Sequence, residues 1–392
     1  MTDLSRLYGK LIQPRLQGFD LILIGCTALL CLVGTLMIFS ASASLSDRLY
    51  GSSLNFLRNH LVHLVVGVAA MALAMGIPYP RWKSWVPLAL ALCLVLLILV
   101  LIPGVGHQVG GARRWLRLGS FSFQPTELLK LVLVANVAFY LDRKQELVSQ
   151  FLRGVAPSQT VMAVFLGLVL LQPDFGTMVL IALTLLLMIF VGGARPGHVL
   201  FSLAGFGAIA AYLVASRAYR MERFLAFLNP WEDRLDSGFQ IIQSYLAIGS
   251  GGWFGVGLGD SRLKLFFLPE AHTDFIFSIL AEEFGLVGTL TVMALFAGFL
   301  WRAFSVALDT EDDFGKFLAF GISTLFGLQI FLNLAVVMGL MPTKGLPLPF
   351  ISYGGSALLM SLFMTGLLLN IGRTARAGPA PSHPPARANG RG

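Results

Sequence analysis

The chain has 392 residues, of which 56% are hydrophobic and only 12% are charged, whereas an ordinary soluble domain has about 25% charged residues. Several apolar runs reach the ~20 residues that are needed to cross the ~30 Å hydrocarbon layer of a membrane. This composition excludes an ordinary soluble enzyme and predicts a polytopic helical membrane protein. The sequence lacks the alternating pattern of an outer-membrane barrel.

The net charge of +8 is spread over many connections and the C-terminal segment rather than along one stripe. Membrane topology explains much of it, and we predict no nucleic-acid partner. The three cysteines, Cys26, Cys31 and Cys93, lie inside apolar runs and are interpreted as buried hydrophobic side chains. His60 and His63 can share a helix face but have no third ligand nearby, so no metal site is predicted.

Ten apolar runs are predicted to be transmembrane helices, which places both termini on the same side of the membrane. These runs are 20–40, 60–77, 84–103, 125–141, 158–172, 175–192, 197–215, 274–301, 316–340 and 355–372. The fold class is therefore all-α, with a ten-helix membrane domain over residues 20–373. A cytoplasmic segment, 1–19, precedes it, and a tail rich in Pro, Ala, Gly and Arg, 374–392, is predicted to be disordered in the cytoplasm.

The distribution of Lys and Arg predicts the orientation. With the N-terminus inside, the inner segments carry 15 Lys and Arg, and the outer segments carry 6 once the longest loop is left out. Long loops are translocated largely regardless of their charge, so leaving this loop out is justified. The N-terminus is predicted to be cytoplasmic.

The longest polar interruption, 217–273, is a predicted extracytoplasmic loop between the seventh and eighth helices. Loops of this length without regular structure usually serve a function. It leads into Asp274, where the next apolar run begins and a helix dipole would favour the ionised carboxylate. Asp274 is the candidate catalytic residue; the alternative is a helix-capping role.

The outer connection 104–124 contains Arg113, Arg114 and Arg117 and no acidic residue. Three arginines on the side that topology disfavours indicate an anionic ligand at the outer surface. The alternative is anchoring to lipid headgroups.

Charged residues also occur at the fourth predicted helix. Glu127 and Lys130 share a helix face. Placing a charged side chain inside a transmembrane span costs about 2.5–3.5 kcal/mol, so we expect each of these two charges to have a partner. The pair is either an ion pair between helices or the wall of a site, and Asp174 is the natural third member of the cluster.

The hairpin 341–356, rich in Pro and Gly, is predicted to line a cavity. The segment from Gly249 to Gly259 is interpreted as flexible rather than phosphate-binding.

These motifs together resemble the SEDS family, the FtsW/RodA polymerases of bacterial peptidoglycan, over about residues 20–373. The matching segments are Gly111–Leu116, Gln124–Lys130, Gln172–Thr177, Asn229–Asp233, Pro269–Phe277, Pro342–Gly345 and Pro349–Gly355. Pro342–Gly345 and Asn229–Asp233 are most similar to the FtsW, or division, branch.

The resemblance implies a glycosyltransferase that polymerises lipid II into glycan strands at the outer face of the inner membrane, at the division septum. It implies Asp274 as the catalytic carboxylate, with undecaprenyl pyrophosphate as the leaving group. It also implies a single-span penicillin-binding transpeptidase and other divisome proteins as partners. No cofactor is assigned, and a divalent cation, Mg²⁺ or Mn²⁺, stays open. The expected substrate-binding residues are Arg113, Arg114, Arg117, Glu127, Lys130, Asp174, His272, Thr273, Lys344 and Ser352.

The residues themselves fit this chemistry. A sugar hydroxyl that attacks C1 of a neighbouring sugar must lose its proton to a base, and an inverting transfer needs only one such carboxylate. Two other functions fit the same residues: a lipid II flippase, which would need the cavity but no base, and a non-catalytic divisome scaffold, which would need neither.

Overall fold

The computed structural model describes residues 20–109, 111–119, 121–216, 218–234, 238–264, 272–343 and 345–377. The cytoplasmic segment 1–19 that the sequence predicts lies outside these residues. So do Lys344 and the tail beyond residue 377.

Within the described residues the chain forms twelve α-helices and one small sheet. The helices are α1 (Leu21–Tyr50), α2 (Asn55–Gly76), α3 (Tyr79–Leu101), α4 (Pro125–Lys144), α5 (Ala156–Leu171), α6 (Phe175–Val191), α7 (Pro196–Ala215), α8 (Ala218–Leu228), α9 (Phe239–Ser250), α10 (Ile276–Asp309), α11 (Asp313–Val337) and α12 (Gly355–Ala377). A 3₁₀ turn, Gln145–Leu147, and a π turn, Phe151–Val155, connect α4 to α5.

Ten of these helices coincide with the ten predicted spans, and α8 and α9 lie in the predicted long loop. Eight helical segments in the described part of the chain are long and apolar enough to cross a membrane by length and composition. The other two coincident helices are α6, which is apolar but has only 17 residues, and α4, which carries a buried ion pair. The prediction of an all-helical polytopic membrane protein is confirmed, apart from the sheet.

The sheet replaces a connection for which the sequence predicted no secondary structure. Strands β1 (Gly106–Val109), β2 (Ala112–Leu118) and β3 (Phe121–Phe123) form an antiparallel sheet in the order β1-β2-β3. The register shifts between His107 and Gln108. His107 pairs with Trp115 and Gln108 pairs with Arg113, so Arg114 is the extra residue of a β-bulge.

Helices α1 and α10 are joined by polar contacts at two levels. Arg302 forms an ion pair with Asp20, the N-cap residue of α1. Further along, Glu283 accepts hydrogen bonds from Ser40 and from Lys264, whose Nζ lies 2.9 Å away. Arg302 and Glu283 are separated by ~28 Å of helix at 1.5 Å per residue. The two polar levels are therefore about one hydrocarbon thickness apart.

Helix α10 is broken at Gly285, whose φ of 64° and ψ of −162° are not helical. Four backbone hydrogen bonds of 2.9 to 3.1 Å join residues 252–257 to residues 282–287 on both sides of the break. These bonds satisfy carbonyl and amide groups that the broken helix would otherwise leave unpaired. The interpretation of the Gly249–Gly259 segment as simply flexible was wrong, because its main chain completes the hydrogen bonding of α10.

Candidate functional site

A cavity of about 580 Å³ lies where the sheet, the start of α6, helices α7 and α8 and the loop after α11 meet. One part of its lining is polar and includes Arg114, Asp174 and Arg223. The wall from α7 is apolar and consists of Ala210, Ala211 and Val214. A cavity with cationic groups beside an apolar wall matches a ligand that carries both phosphate and hydrocarbon.

Arg114 enters this cavity because of the bulge in β2. Its Nε donates to the Gln172 carbonyl at 3.1 Å, and its Nη2 donates to the Pro173 carbonyl. Its Nη1 lies 4.0 Å from Oδ1 of Asp174. Arg114 therefore fixes the turn before α6, and three of its five N–H groups are left for other acceptors.

The other two arginines of the predicted anion site do not line the cavity. Arg113 pairs with Gln108 in the sheet, and Arg117 is exposed opposite Ser122. Of the three predicted arginines, only Arg114 is placed at this cavity.

Asp174 is buried and caps α6, because its Oδ1 accepts a hydrogen bond from the Thr177 amide at 3.3 Å. Its Oδ2 has no hydrogen-bond partner among the described residues. A buried carboxylate oxygen without a donor is costly, so a ligand hydroxyl in the cavity would relieve this cost.

Glu127 and Lys130 form a buried ion pair of 2.7 Å on α4. Lys130 also donates to Gln329 of α11 at 3.1 Å, and Gln329 donates to the Pro347 carbonyl at 2.7 Å. The predicted three-membered cluster is therefore divided. Glu127 and Lys130 tie α4 to α11 and to the loop before α12, whereas Asp174 faces Arg114.

Asp274 lies beside the cavity, across Gly345. A Cβ atom built on Gly345, which lines the cavity, would be 3.0 Å from Oδ2 of Asp274. The N-cap residue of α10 is Phe275, and no side chain caps the helix there. Asp274 therefore lies one residue before the N-cap position of α10.

The peptide that carries Asp274 is held through its main chain. The Asp274 carbonyl accepts a hydrogen bond from Asn333 at 3.0 Å, and the Thr273 carbonyl accepts one from Ser352 at 2.6 Å. Ser352 also accepts from the Leu348 amide at 2.8 Å. Ser352, which was predicted to bind substrate, therefore links the loop after α11 to this peptide through these two hydrogen bonds.

His272 completes this region. Its carbonyl accepts from the Tyr353 amide at 3.0 Å, and its ring lies 5.2 Å from the ring of Phe56 and 5.8 Å from that of Tyr353. Burial raises the pKa of the Tyr353 hydroxyl. The predicted site residue Lys344 lies outside the described residues.

Several cavity residues were not singled out from the sequence. Met221, Arg223 and Phe224 lie on α8, and Thr343 lies in the loop after α11. The available signal was the helical spacing of apolar residues in 218–228, which gives a short amphipathic helix. In the described part of the chain no three His, Cys, Asp or Glu side chains cluster to hold a metal ion.

The comparisons with known proteins agree with this architecture. The family model for FtsW, RodA and SpoVE, described as "Cell cycle protein", matches residues 20–377. A Geobacter sp. (strain M18) relative, named "Probable peptidoglycan glycosyltransferase FtsW", is 43% identical over 92% of this chain and 99% of that protein. The "Stage V sporulation protein E" of Bacillus subtilis (strain 168) is 44% identical over 91% of this chain and 98% of that protein.

Two solved structures share the fold. One, from work titled "Structural coordination of polymerization and crosslinking by a peptidoglycan synthase complex", has a TM-score of 0.76 and 31% identity, covering 91% of this chain and 98% of that chain. The other, the rod shape determining protein RodA of Thermus thermophilus, has a TM-score of 0.68 and 29% identity, covering 91% and 97%. The resemblance seen in the sequence is confirmed, and this chain belongs to the FtsW/RodA/SpoVE family of cell cycle proteins.

Proposed function

We propose that this chain is a peptidoglycan glycosyltransferase that polymerises lipid II, with Asp274 as the general base. The relatives named as peptidoglycan glycosyltransferases align over more than nine-tenths of the chain. The observation that carries the proposed mechanism is the position of the Asp274 carboxylate next to Gly345, which lines a cavity that contains Arg114, Arg223 and an apolar face.

The proposed reaction needs one proton acceptor and one anion-binding group. Asp274 takes the proton from a hydroxyl of the acceptor sugar as that oxygen forms a bond to C1 of the donor sugar. The bond from C1 to the phosphate oxygen breaks, and undecaprenyl pyrophosphate leaves with the electron pair. The remaining N–H groups of Arg114 stabilise this developing charge, and the α7 wall accommodates hydrocarbon.

The orientation predicted from Lys and Arg would put this cavity at the outer face of the inner membrane. The family and its relatives support a role in division, and hence a location at the septum. They also support a single-span penicillin-binding transpeptidase as the partner, in line with the synthase complex of the structural neighbour. On α10, Leu286, Leu290 and Met293 form an exposed apolar stripe that a partner helix could cover.

The test is glycan synthesis by purified Asp274→Asn protein. The protein is bound to its partner and is placed in liposomes that contain lipid II. Loss of a general base typically reduces the rate 10²–10⁴-fold, and we expect a loss in this range with lipid II binding unchanged. The matched control is Asp260→Asn, an exposed carboxylate of the outer loop, which should keep wild-type activity.

The outcomes separate the three functions. Activity of Asp274→Asn within about threefold of wild type, ~0.7 kcal/mol on the barrier, would exclude Asp274 as the base. If the wild-type protein makes polymer and the variant does not, a non-catalytic scaffold is excluded. A flippase instead predicts lipid II transfer across vesicles by both proteins and no polymer from either.

A further inference from the structure

The structure contains a second cleft, distinct from the cavity beside Asp274, between α3, α4, α11 and α12. Its volume is about 260 Å³, and its lining is almost wholly apolar. It includes Trp82, Trp85, Leu88 and Leu92 on α3, with Leu131 of α4 and Phe363 of α12. The rings of Trp82 and Phe363 meet edge to face, with centroids 5.3 Å apart.

The cleft opens away from the helical bundle, because Trp85 is 45% exposed and Leu88 is 72% exposed. From Trp82 to Leu92 the helix rises ~15 Å, which is half of the ~30 Å hydrocarbon layer. The cleft therefore extends from a tryptophan pair, typical of the membrane interface, to the middle of the bilayer. At this depth an open apolar cleft is filled by hydrocarbon, because an empty space would forfeit dispersion contacts.

Charge distinguishes the two ends of the cleft. Arg81, Trp85, Leu88 and Leu92 follow the i, i+4, i+7, i+11 spacing of a single helix face. Arg81 is exposed and makes no ion pair within the described residues. Neighbouring Lys83, in contrast, is paired with Asp142 at 2.6 Å.

We propose that this cleft binds one phospholipid with an anionic headgroup, its phosphate at Arg81 and one acyl chain along Trp85 and Leu92. On the predicted orientation this lipid belongs to the cytoplasmic leaflet, where anionic lipids attract Lys and Arg near the membrane surface. Pro87 lies inside α3 and cannot donate to the Lys83 carbonyl, so the helix is weakened beside the cleft. The site is independent of the proposed catalytic function.

The test uses the two tryptophans of the cleft as reporters. The protein is placed in nanodiscs of phosphatidylcholine with small amounts of brominated phosphatidylglycerol or brominated phosphatidylcholine, and tryptophan quenching is recorded. The contribution of the cleft is the difference from a Trp82→Phe/Trp85→Phe variant. We expect half-quenching at about fivefold less phosphatidylglycerol than phosphatidylcholine, as one arginine at an anionic surface provides.

Arg81→Gln should abolish this preference. Arg143→Gln should retain it, because Arg143 lies over the ring of Phe139 at the end of α4 and outside the cleft. Ala89→Phe, which adds a ring to the lining, should reduce quenching by both lipids. Equal quenching by the two lipids in the wild type, or a preference that survives in Arg81→Gln, would overturn the proposal. If Ala89→Phe does not fold, the result for Arg81→Gln tests the proposal by itself.

Discussion

Gly345→Ala should displace the Asp274 carboxylate while leaving the rest of the site in place. The new Cβ would lie 3.0 Å from Oδ2 and 3.9 Å from Cγ of Asp274. An ordinary contact of this kind begins near 3.4 Å, so the carboxylate must move by about 0.4 Å. Gly345 does not have a positive φ, and alanine therefore adds no backbone strain there.

The size of the effect follows from this displacement. A misplacement of ~1 Å costs about 10²-fold in rate, so ~0.4 Å scales to about sixfold. The loss should fall on the turnover rate, because in the proposed mechanism the carboxylate accepts the proton only as the reaction proceeds. The lipid II concentration that gives half-maximal rate should stay within about twofold of wild type, since Arg114 and the α7 wall are unchanged.

The assay is glycan polymerisation by purified protein in liposomes, with rate measured against lipid II concentration. Gly354→Ala is the matched control, because its Cβ would meet the Ala357 Cβ at an ordinary distance of 3.5 Å. We expect this control to react at the wild-type rate. A wild-type rate for Gly345→Ala would refute the argument that the position of the carboxylate limits the reaction. An equal loss in both variants would show general damage to the loop instead.

Three further predictions follow from the same contacts. Lys130→Met leaves Glu127 buried and unpaired, which should cost about 3–5 kcal/mol of stability and lower the melting temperature in detergent. An unchanged melting temperature would contradict the buried ion pair. Arg114→Ala should raise the half-saturating lipid II concentration tenfold or more, as expected for a charge-assisted phosphate contact of about 1.5–3 kcal/mol, whereas Arg117→Ala should stay within twofold; equal effects would contradict the separation of the two arginines. Leu290→Trp on α10 should reduce co-purification of the proposed transpeptidase partner, and recovery of that partner at the wild-type level would place docking elsewhere.

The helical framework was predictable because eight of its helical segments are apolar runs that are long enough to cross a membrane. The sheet after α3 was not, because its strands are only 3 to 7 residues long and carry no clear alternation. This omission had a consequence for function. The sequence predicted all three arginines as substrate-binding residues, but of these only Arg114, at the one-residue shift in register, lines the cavity.

The break in α10 escaped prediction for a different reason. Gly285 lies in an apolar run that is indistinguishable from a continuous helix, and its left-handed conformation is stabilised by a segment about thirty residues earlier. A Cβ at Gly285 would lie 2.3 Å from the Gly255 amide nitrogen, so only glycine permits this approach. From the sequence alone, the glycine-rich segment Gly249–Gly259 was explained by local flexibility. Only its long-range hydrogen bonds to α10 show its structural role.

The sequence was enough to propose Asp274 as the catalytic residue, but not to predict the groups that hold its peptide. Asn333 and Ser352 lie 59 and 79 residues further along the chain from the carbonyls that they bind. Both bonds are made to main-chain oxygens, at Asp274 and Thr273, and not to the carboxylate. Replacing Asp274 by Asn therefore leaves these two hydrogen bonds in place, while it removes the negative charge and the capacity to accept a proton. Because neither bond involves the side chain that is changed, we expect the variant to keep its fold and to lose rate through the loss of the proposed base.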